Sequence, residues 1–338
     1  MRTFFFLLFL FLSFSSFSQN TGYTAHNISM PPELSYYDNQ FSSLYIHDDK
    51  LFLMSECRLE DDAEPKLYAV TLAALEHKMR DTSFLLPYTK YHIYNMDLLR
   101  QKMKEKGDDY EGAEAMVMKG DDVYLSIETA TPSANCYLLK GHLNATDVVM
   151  DPETMITLRK PVNNDGSHIY NAGFEAVEML NDNLYNFFEY NYFPQENFAK
   201  MVPAGEFEKG ETHPIFTDRI PYRLTDITAT GTNSFTGINY FYKGGGDDAV
   251  YRVPAKDASA DRLIKDSTGT YHSYCRLIDI SFNGTMFTWK TLWEFPQEYW
   301  GYNWEGIAAY KDGYFITNDK YTPSRPYIST LIYFSKND

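Results

Sequence analysis

Cations, cysteines and long apolar runs are scarce in this chain, and each scarcity excludes something. Thirty Lys and Arg stand against 46 Asp and Glu, a net charge of −16. A surface of that sign repels a phosphate backbone, so nucleic acid is excluded as a partner. Only three cysteines occur, Cys57, Cys136 and Cys275, enough for one disulfide at most. Their spacing is no metal motif, and buried free thiols are the simpler expectation. Beyond the N-terminus no stretch approaches the eighteen or so apolar residues of a membrane span. There is no Gly-rich phosphate loop, no GxSxG and no HExxH, which removes the familiar nucleotide, serine-hydrolase and zinc-protease signatures.

The one apolar run is MRTFFFLLFLFLSFSSFSQ, residues 1–19. One Arg, then Phe and Leu, then small polar residues read as a secretory signal peptide. The expected product is secreted, periplasmic or extracellular, with no membrane span after signal cleavage. The remaining residues, 20–338, form a single domain by length.

Aromatics are abundant, 17% of the chain with 28 Tyr, and favour strands. They fall into an internal repeat. Glu114 is followed seven residues on by Asp121 and fourteen on by Glu128. The same offsets give Glu175, Asp182 and Glu189; Glu305, Asp312 and Asp319; and Ser42, Asp49 and Glu56. Each copy reads as a β-hairpin with Asp in its turn and two polar residues facing each other at the open end. A looser copy starts at Asp226 and ends on Lys243 without a closing acid.

Short runs ending in proline precede the copies: FLLP to Pro87, ITLRKP to Pro161, IFTDRIP to Pro221 and TLWEFP to Pro296. Proline cannot continue a central ladder, so these read as outer edge strands. Third strands are expected at KLYAVTL, NCYLLKG, FAKMVP, RLIDISF and STLIYFS. The last unit then lacks a fourth strand, and residues 23–30 supply it. The expected fold is all-β, a five-bladed β-propeller with its N-terminal strand closing the last blade. A sixth blade stays open, because residues 244–274, read as an insertion, have room for further strands. One short helix is expected in an inter-blade loop, MDLLRQKMKEK, capped by Asn95 and stopped by Gly107.

In a propeller the first strand of each unit lines the channel. Ser42, Glu114, Glu175, Asp226 and Glu305 then crowd its mouth, and carboxylates so gathered need compensation. A hard cation supplies it, and oxygen ligands without Cys or His point to calcium. Solvated acids, or acids capping backbone groups, are the alternative. The second tier, Glu56, Glu128, Glu189 and Asp319, holds candidate general bases or water-positioning groups, with His168 nearby in the loop before Glu175. Arg58, Lys243 and Lys320 can hold a phosphate or carboxylate at the rim. Trp300 and Tyr302 lead a group of loop aromatics suited to a glycan or protein segment.

At this point GFEAV, from Gly173, and WEGIA, from Trp304, resemble the inner-strand motifs of the SdiA-regulated domain family. The order Ser, Glu, Glu, a fourth residue, Glu is similar to that of the calcium-activated nucleotidases (apyrases), and esterase-like phytase propellers are more distantly similar. The resemblance implies a five-bladed propeller with calcium in its channel. At the fourth position, where those families tend to carry Ser, this chain has Asp226, and the apyrase DDRTG-type segment survives only as Glu56, Cys57 and Arg58. The expected function is a secreted calcium-binding propeller, a non-catalytic binding module with a glycan, protein or small-molecule ligand at the channel mouth. The alternative is a metal-dependent hydrolase of phosphoesters, nucleotides or related esters.

Overall fold

The computed structural model describes residues 22–56, 66–254 and 256–337. The leader expected at residues 1–19, together with Cys57 and Arg58, lies outside them. No helix among the described residues is long and apolar enough to cross a membrane.

The chain is all-β, with short helices between strands. An antiparallel meander opens it: β2 (Phe41–His47), β3 (Lys50–Ser55), β4 (Lys66–Thr71) and β5 (Thr89–Tyr94) follow β1 (Tyr23–Ile28). A second meander comprises β6 (Tyr110–Lys119), β7 (Asp122–Thr129), β8 (Asn135–Leu143) and β9 (Asp147–Arg159). Then come β10 (Ala176–Leu180), β11 (Asn183–Phe187), β12 (Asn197–Pro203) and β13 (His213–Thr217). The fourth run is β14 (Arg223–Gly231), β15 (Ser234–Phe241), β16 (Tyr274–Phe282) and β17 (Met286–Glu294). The chain closes with β18 (Trp304–Tyr310), β19 (Gly313–Asn318) and β20 (Leu331–Lys336).

These strands form three sheets. One has four strands in the order β1-β20-β19-β18. The other two have eight each, because outer strands meet edge to edge: β5 pairs in parallel with β9, and β13 with β17. The N-terminal strand does join the C-terminal one, in the antiparallel register Tyr23↔Lys336 to Ile28↔Leu331. At the centre β2 lies against β6 and β18, β10 against β6 and β14, and β14 against β18. The arrangement is propeller-like, with these five strands around one axis.

The hairpin turns explain the repeated Asp. Asp49, Asp121, Asp182 and Asp312 each occupy the second place of a two-residue turn. The residue before each has positive φ: Asp48 at 50°, Gly120 at 57°, Asn181 at 49° and Lys311 at 51°. Such turns match the right-handed twist of the flanking strands. Between the third and fourth four-stranded meanders the packing side chains are aromatic. Phe187 packs its ring edge against Phe287 with centroids 5.0 Å apart, and Tyr185 does the same at 5.2 Å. Each such burial is worth roughly 1.5–3 kcal/mol.

Several local expectations change. Among the described residues the single helix becomes four: α1 (Pro32–Ser35), α2 (Leu72–Arg80), α3 (Met96–Glu105) and α4 (Ala258–Leu263). LAALEHKMR follows β4 directly as α2, because Thr71 Oγ1 accepts the Ala74 amide at 3.2 Å and Leu75 enters the core. FLLP is therefore not an edge strand. Phe84 instead stacks on His77 at 4.1 Å, and the outer strand is β5, beyond Pro87. The helix expected after Asn95 is present as α3, but Asn95 does not cap it. That residue is left-handed, with φ 70°, and its side-chain amide donates to the Met150 carbonyl at 2.8 Å. Residues 242–273 separate β15 from β16 and contain α4 and a short 3-10 turn, Gly246–Tyr251.

Candidate functional site

Inner strands bring both acidic tiers to one place. A cavity of about 80 Å³ at the axis is lined by Ser42, Glu114, Glu175 and Glu305 of the first tier and by Glu56, Glu128, Glu189 and Asp319 of the second. Asn171, Asn303 and Arg223 complete it. Glu305 is partly buried; the other six carboxylates are each less than a tenth exposed.

Bulges aim the first tier. In β2, β6 and β18 the pairing slips at Ser42, Glu114 and Glu305, and an extra residue there turns its side chain out of the alternation. In β14 the equivalent slip falls at Thr225, not Asp226. The hydrogen bonds agree. Ser42 Oγ donates to the Ala113 carbonyl, just before Glu114, at 2.7 Å, and Thr225 Oγ1 donates to the Trp304 carbonyl, just before Glu305, at 2.7 Å. A second slip in β14, between Ala229 and Gly231, adds one residue before the turn at Asn233. Counting seven back from that turn therefore lands one residue late, on Asp226.

Asp226 itself stands apart from the cavity. Its carboxylate is 1% exposed and accepts the amides of Ile227 at 2.8 Å and Ile307 at 2.9 Å, tying β14 to β18. With Thr225 in its place, the opening order becomes Ser, Glu, Glu, Thr, Glu, with a hydroxyl in the fourth position.

Glycines make room for the cluster. A Cβ at Gly112 would lie 2.4 Å from Glu114 Oε1 and 2.8 Å from Glu56 Cγ. At Gly173 it would press on Glu128 at 3.2 Å. Burial pushes the Glu128 carboxyl up to about 8, with Glu189, Glu56 and Glu111 adding to the shift and Lys160 opposing it. Glu175 is raised well above the usual range by burial and then by Glu189, Glu305, Glu128 and Glu114. Glu305 is raised likewise, by burial and then by Asp319 and Glu189. Burial also raises Asp319, against the amides of Lys320 and Tyr321 that it accepts.

Compensating cations are few. Arg223 donates to Glu189 and, at 2.7 Å, to Asp248, and lies over the Tyr251 ring at 4.1 Å. The Tyr251 hydroxyl donates to the other Glu189 oxygen. Lys160, almost wholly buried, donates to the Thr129 carbonyl at 2.8 Å behind Glu128. One Glu128 oxygen, Oε1, is buried with no hydrogen-bond partner. Among the described residues no three acidic, histidine or cysteine side chains are drawn together as a ready-made metal group. The lining is nonetheless rich in oxygen and free of His and Cys, which is the donor set a hard cation takes.

Above this cavity is a wider cleft of about 400 Å³, sharing Asn171, Arg223, Asn303 and Asp319 with it. Its walls carry Tyr240, Tyr242, Tyr321 and Tyr327, with Gln40 and Lys320. Lys320 donates to Gln40 Oε1 at 2.7 Å. A third hollow, between Tyr170 and residues 245–248, also meets Arg223. The segment between β15 and β16 thus covers part of the mouth, through Asp248 and Tyr251.

Other expected ligand groups fall elsewhere. Trp300 stacks on His272 at 4.8 Å and donates to the Phe295 carbonyl at 2.7 Å, so it packs loops together. Tyr302 stacks on Trp304 at 4.7 Å. Neither lines the clefts, nor does Lys243, which is exposed, nor His168, whose Nδ1 lies 3.3 Å from the Pro161 carbonyl. The connection Tyr88–Glu111 contributes no lining residue either, because it holds β5 and the peripheral α3. Cys136 and Cys275 are buried free thiols. Sequence reasoning missed Arg223, Thr225, Asn171, Asn303, Lys160 and Tyr251. The tripeptide Arg223-Leu224-Thr225 before Asp226 was the available signal for the first two.

No family model and no curated protein matches the chain. The resemblance to SdiA-regulated domains and apyrases therefore rests on the short motifs alone. Among solved structures, the catalytic domain of a Coprinopsis cinerea GH62 α-L-arabinofuranosidase superposes with a TM-score of 0.50 at 10% identity, covering 93% of this chain and 97% of that one. The Malassezia sympodialis allergen Mala s 1 gives 0.47 at 7% identity, covering 92% and 96%, and a GH43_1 enzyme from Xanthomonas citri gives 0.46 at 8%, covering 91% and 90%. At such identity the likeness to the arabinofuranosidase domain is one of propeller-like fold.

Proposed function

We propose that this protein is an exported five-bladed β-propeller that holds calcium in its acidic channel and binds a glycan over the channel mouth. The four-stranded meanders are its blades, with β1 completing the last. The observation that carries the reading is the order Ser42, Glu114, Glu175, Thr225, Glu305 at the five inner-strand openings, around a cavity with seven carboxylates. So many buried acids are strongly unfavourable without a cation. The fit is chemical: an oxygen-rich lining without His or Cys, glycines where a side chain would intrude, and a Glu128 oxygen with no hydrogen-bond partner among the described residues. Glu114, Glu175 and Glu305, with the Ser42 hydroxyl, would hold the ion, and calcium would supply the missing positive charge.

The ligand class follows from the cleft above. It is concave and small, which suits a sugar better than a protein surface. Flat tyrosine faces with neighbouring amide and cationic donors are the groups that hold sugar rings and hydroxyls. A second reading, hydrolysis of phosphoesters or related esters, is favoured by the Glu128 carboxyl at about 8, a proton donor at neutral pH.

The test is melting with chelator and with millimolar calcium, elemental analysis, and then glycan-array binding in both states. Calcium should raise the midpoint by mass action. Glu175→Gln should abolish most of that rise and Asp226→Asn should leave it. No bound ion and an unmoved midpoint would sink the metal reading; calcium-dependent turnover in a phosphoester panel would favour the hydrolase.

A further inference from the structure

A second cleft of about 270 Å³ lies away from the axis, between the segment after β9 and the β11–β12 connection. It shares no lining residue with the acidic cavity or the tyrosine cleft. Its floor is aromatic: Phe174, Phe188 and Phe193 are each at most 2% exposed, and Tyr190 and Phe198 flank them. Phe174 and Phe188 meet edge to face at 5.4 Å, and Tyr190 and Phe193 at 4.8 Å, so the wall is preformed.

Charge is arranged unusually here. In a chain of net charge −16, this cleft collects Arg159, Lys160 and Lys200 against a single acid, Glu196. Lys160 is committed to the Thr129 carbonyl. The Arg159 guanidinium and the Lys200 ammonium have no hydrogen-bond or ion-pair partner among the described residues. Burial holds the Lys200 ammonium below its usual range, the mark of a cation kept partly out of water. An apolar floor with two uncommitted cations at its edge is complementary to one kind of molecule, an apolar body carrying one negative group.

We propose that this side cleft binds a small apolar carboxylic acid, its ring or chain against Pro161, Val162 and Phe198 over the buried rings of Phe174, Phe188 and Phe193, and its carboxylate against Lys200 and Arg159. The volume is near the lower end of ligand pockets, roughly 300 Å³, which limits the ligand to a single ring or a short chain. Guanidinium and ammonium together supply the charge-assisted bonds that fix its orientation.

The probes are sodium phenylacetate and sodium octanoate, with phenylacetamide as the neutral control, titrated into the full chain by calorimetry. Saturable binding of the carboxylates and at least ~10-fold weaker binding of the amide are expected. Lys200→Met and Arg159→Met should each weaken phenylacetate several-fold with an unchanged melting midpoint, since both side chains reach solvent. Tyr242→Ala, in the other cleft, should change nothing. No saturable binding, equal affinity for acid and amide, or loss with Tyr242→Ala but not with Lys200→Met would each overturn the assignment.

Discussion

Replacing Arg223 by Met would remove the one guanidinium that lines the acidic cavity among the described residues while keeping part of its apolar stem. Three contacts go with it: the bond to Glu189, whose side chain is wholly buried, the bond to Asp248, and the stack over Tyr251 at 4.1 Å. Asp248 is 32% exposed and can turn to water, so its loss counts for little. Glu189 cannot. Breaking a buried pair by removing one partner costs about 3–5 kcal/mol, because the remaining charge is stranded. Arg223 retains 19% exposure, so the lower figure applies, ~3 kcal/mol, or roughly 6 °C in melting midpoint for a chain of this size. Urea unfolding in chelator, wild type against Arg223→Met, measures it. The same variant should gain more from calcium than the wild type does, since its cavity carries one more uncompensated negative charge. Arg223→Lys should recover less than half of the loss, because a single ammonium cannot span Glu189 and Asp248 as the fork does. A loss below about 1 kcal/mol with an unchanged urea slope, or a calcium gain equal to that of the wild type, would refute the electrostatic account.

Two further outcomes follow from the same structure. Glu128, at about 8, and Glu175 and Glu305, raised well above 4.5, bind protons more tightly folded than unfolded. Their contribution is therefore full below about pH 4.5 and is lost as pH rises through each folded value, which for Glu128 is about 8, by about 1.4 kcal/mol per pH unit for a group titrating alone. Urea unfolding in chelator at pH 5 and pH 8 should show that decline, and calcium should flatten it; stability rising with pH in chelator would contradict it. Deleting residues 20–31 removes all six pairs between β1 and β20 and leaves β20 as an open edge. Light scattering should report aggregation, and a monomeric, equally stable truncation would show that closure is not needed.

The hairpins and the ring of acids were legible because they rest on short-range rules. Turn chemistry at Asp49, Asp121, Asp182 and Asp312, and the fixed spacing of acids on either side, follow from strand period and turn type alone. The pairing of Tyr23–Ile28 with the C-terminal strand was legible too, because an unpaired fourth strand and a missing one can be counted along the chain. Helix α2 was not. Its leucines and alanines continue the apolar pattern of β4, and only the Thr71 cap and the packing of Leu75 decide for helix.

At the site the sequence by itself determined which residue types gather, and tertiary structure decided which of them arrive. Asp226 and Thr225 are neighbours in the chain, and a single additional bulge in β14 exchanges their places, so that Thr225 takes the slipped position and bonds the Trp304 carbonyl while Asp226 turns to the Ile307 amide. Trp300 and Tyr302 are drawn into loop packing because a half-buried stack on His272 or Trp304 removes more apolar surface from water than an exposed rim does. Arg223, Tyr251 and Asp248 come from two distant segments, and their meeting at Glu189 depends on where the loop between β15 and β16 folds back. Local spacing carries no information about that return, which is set by long-range packing.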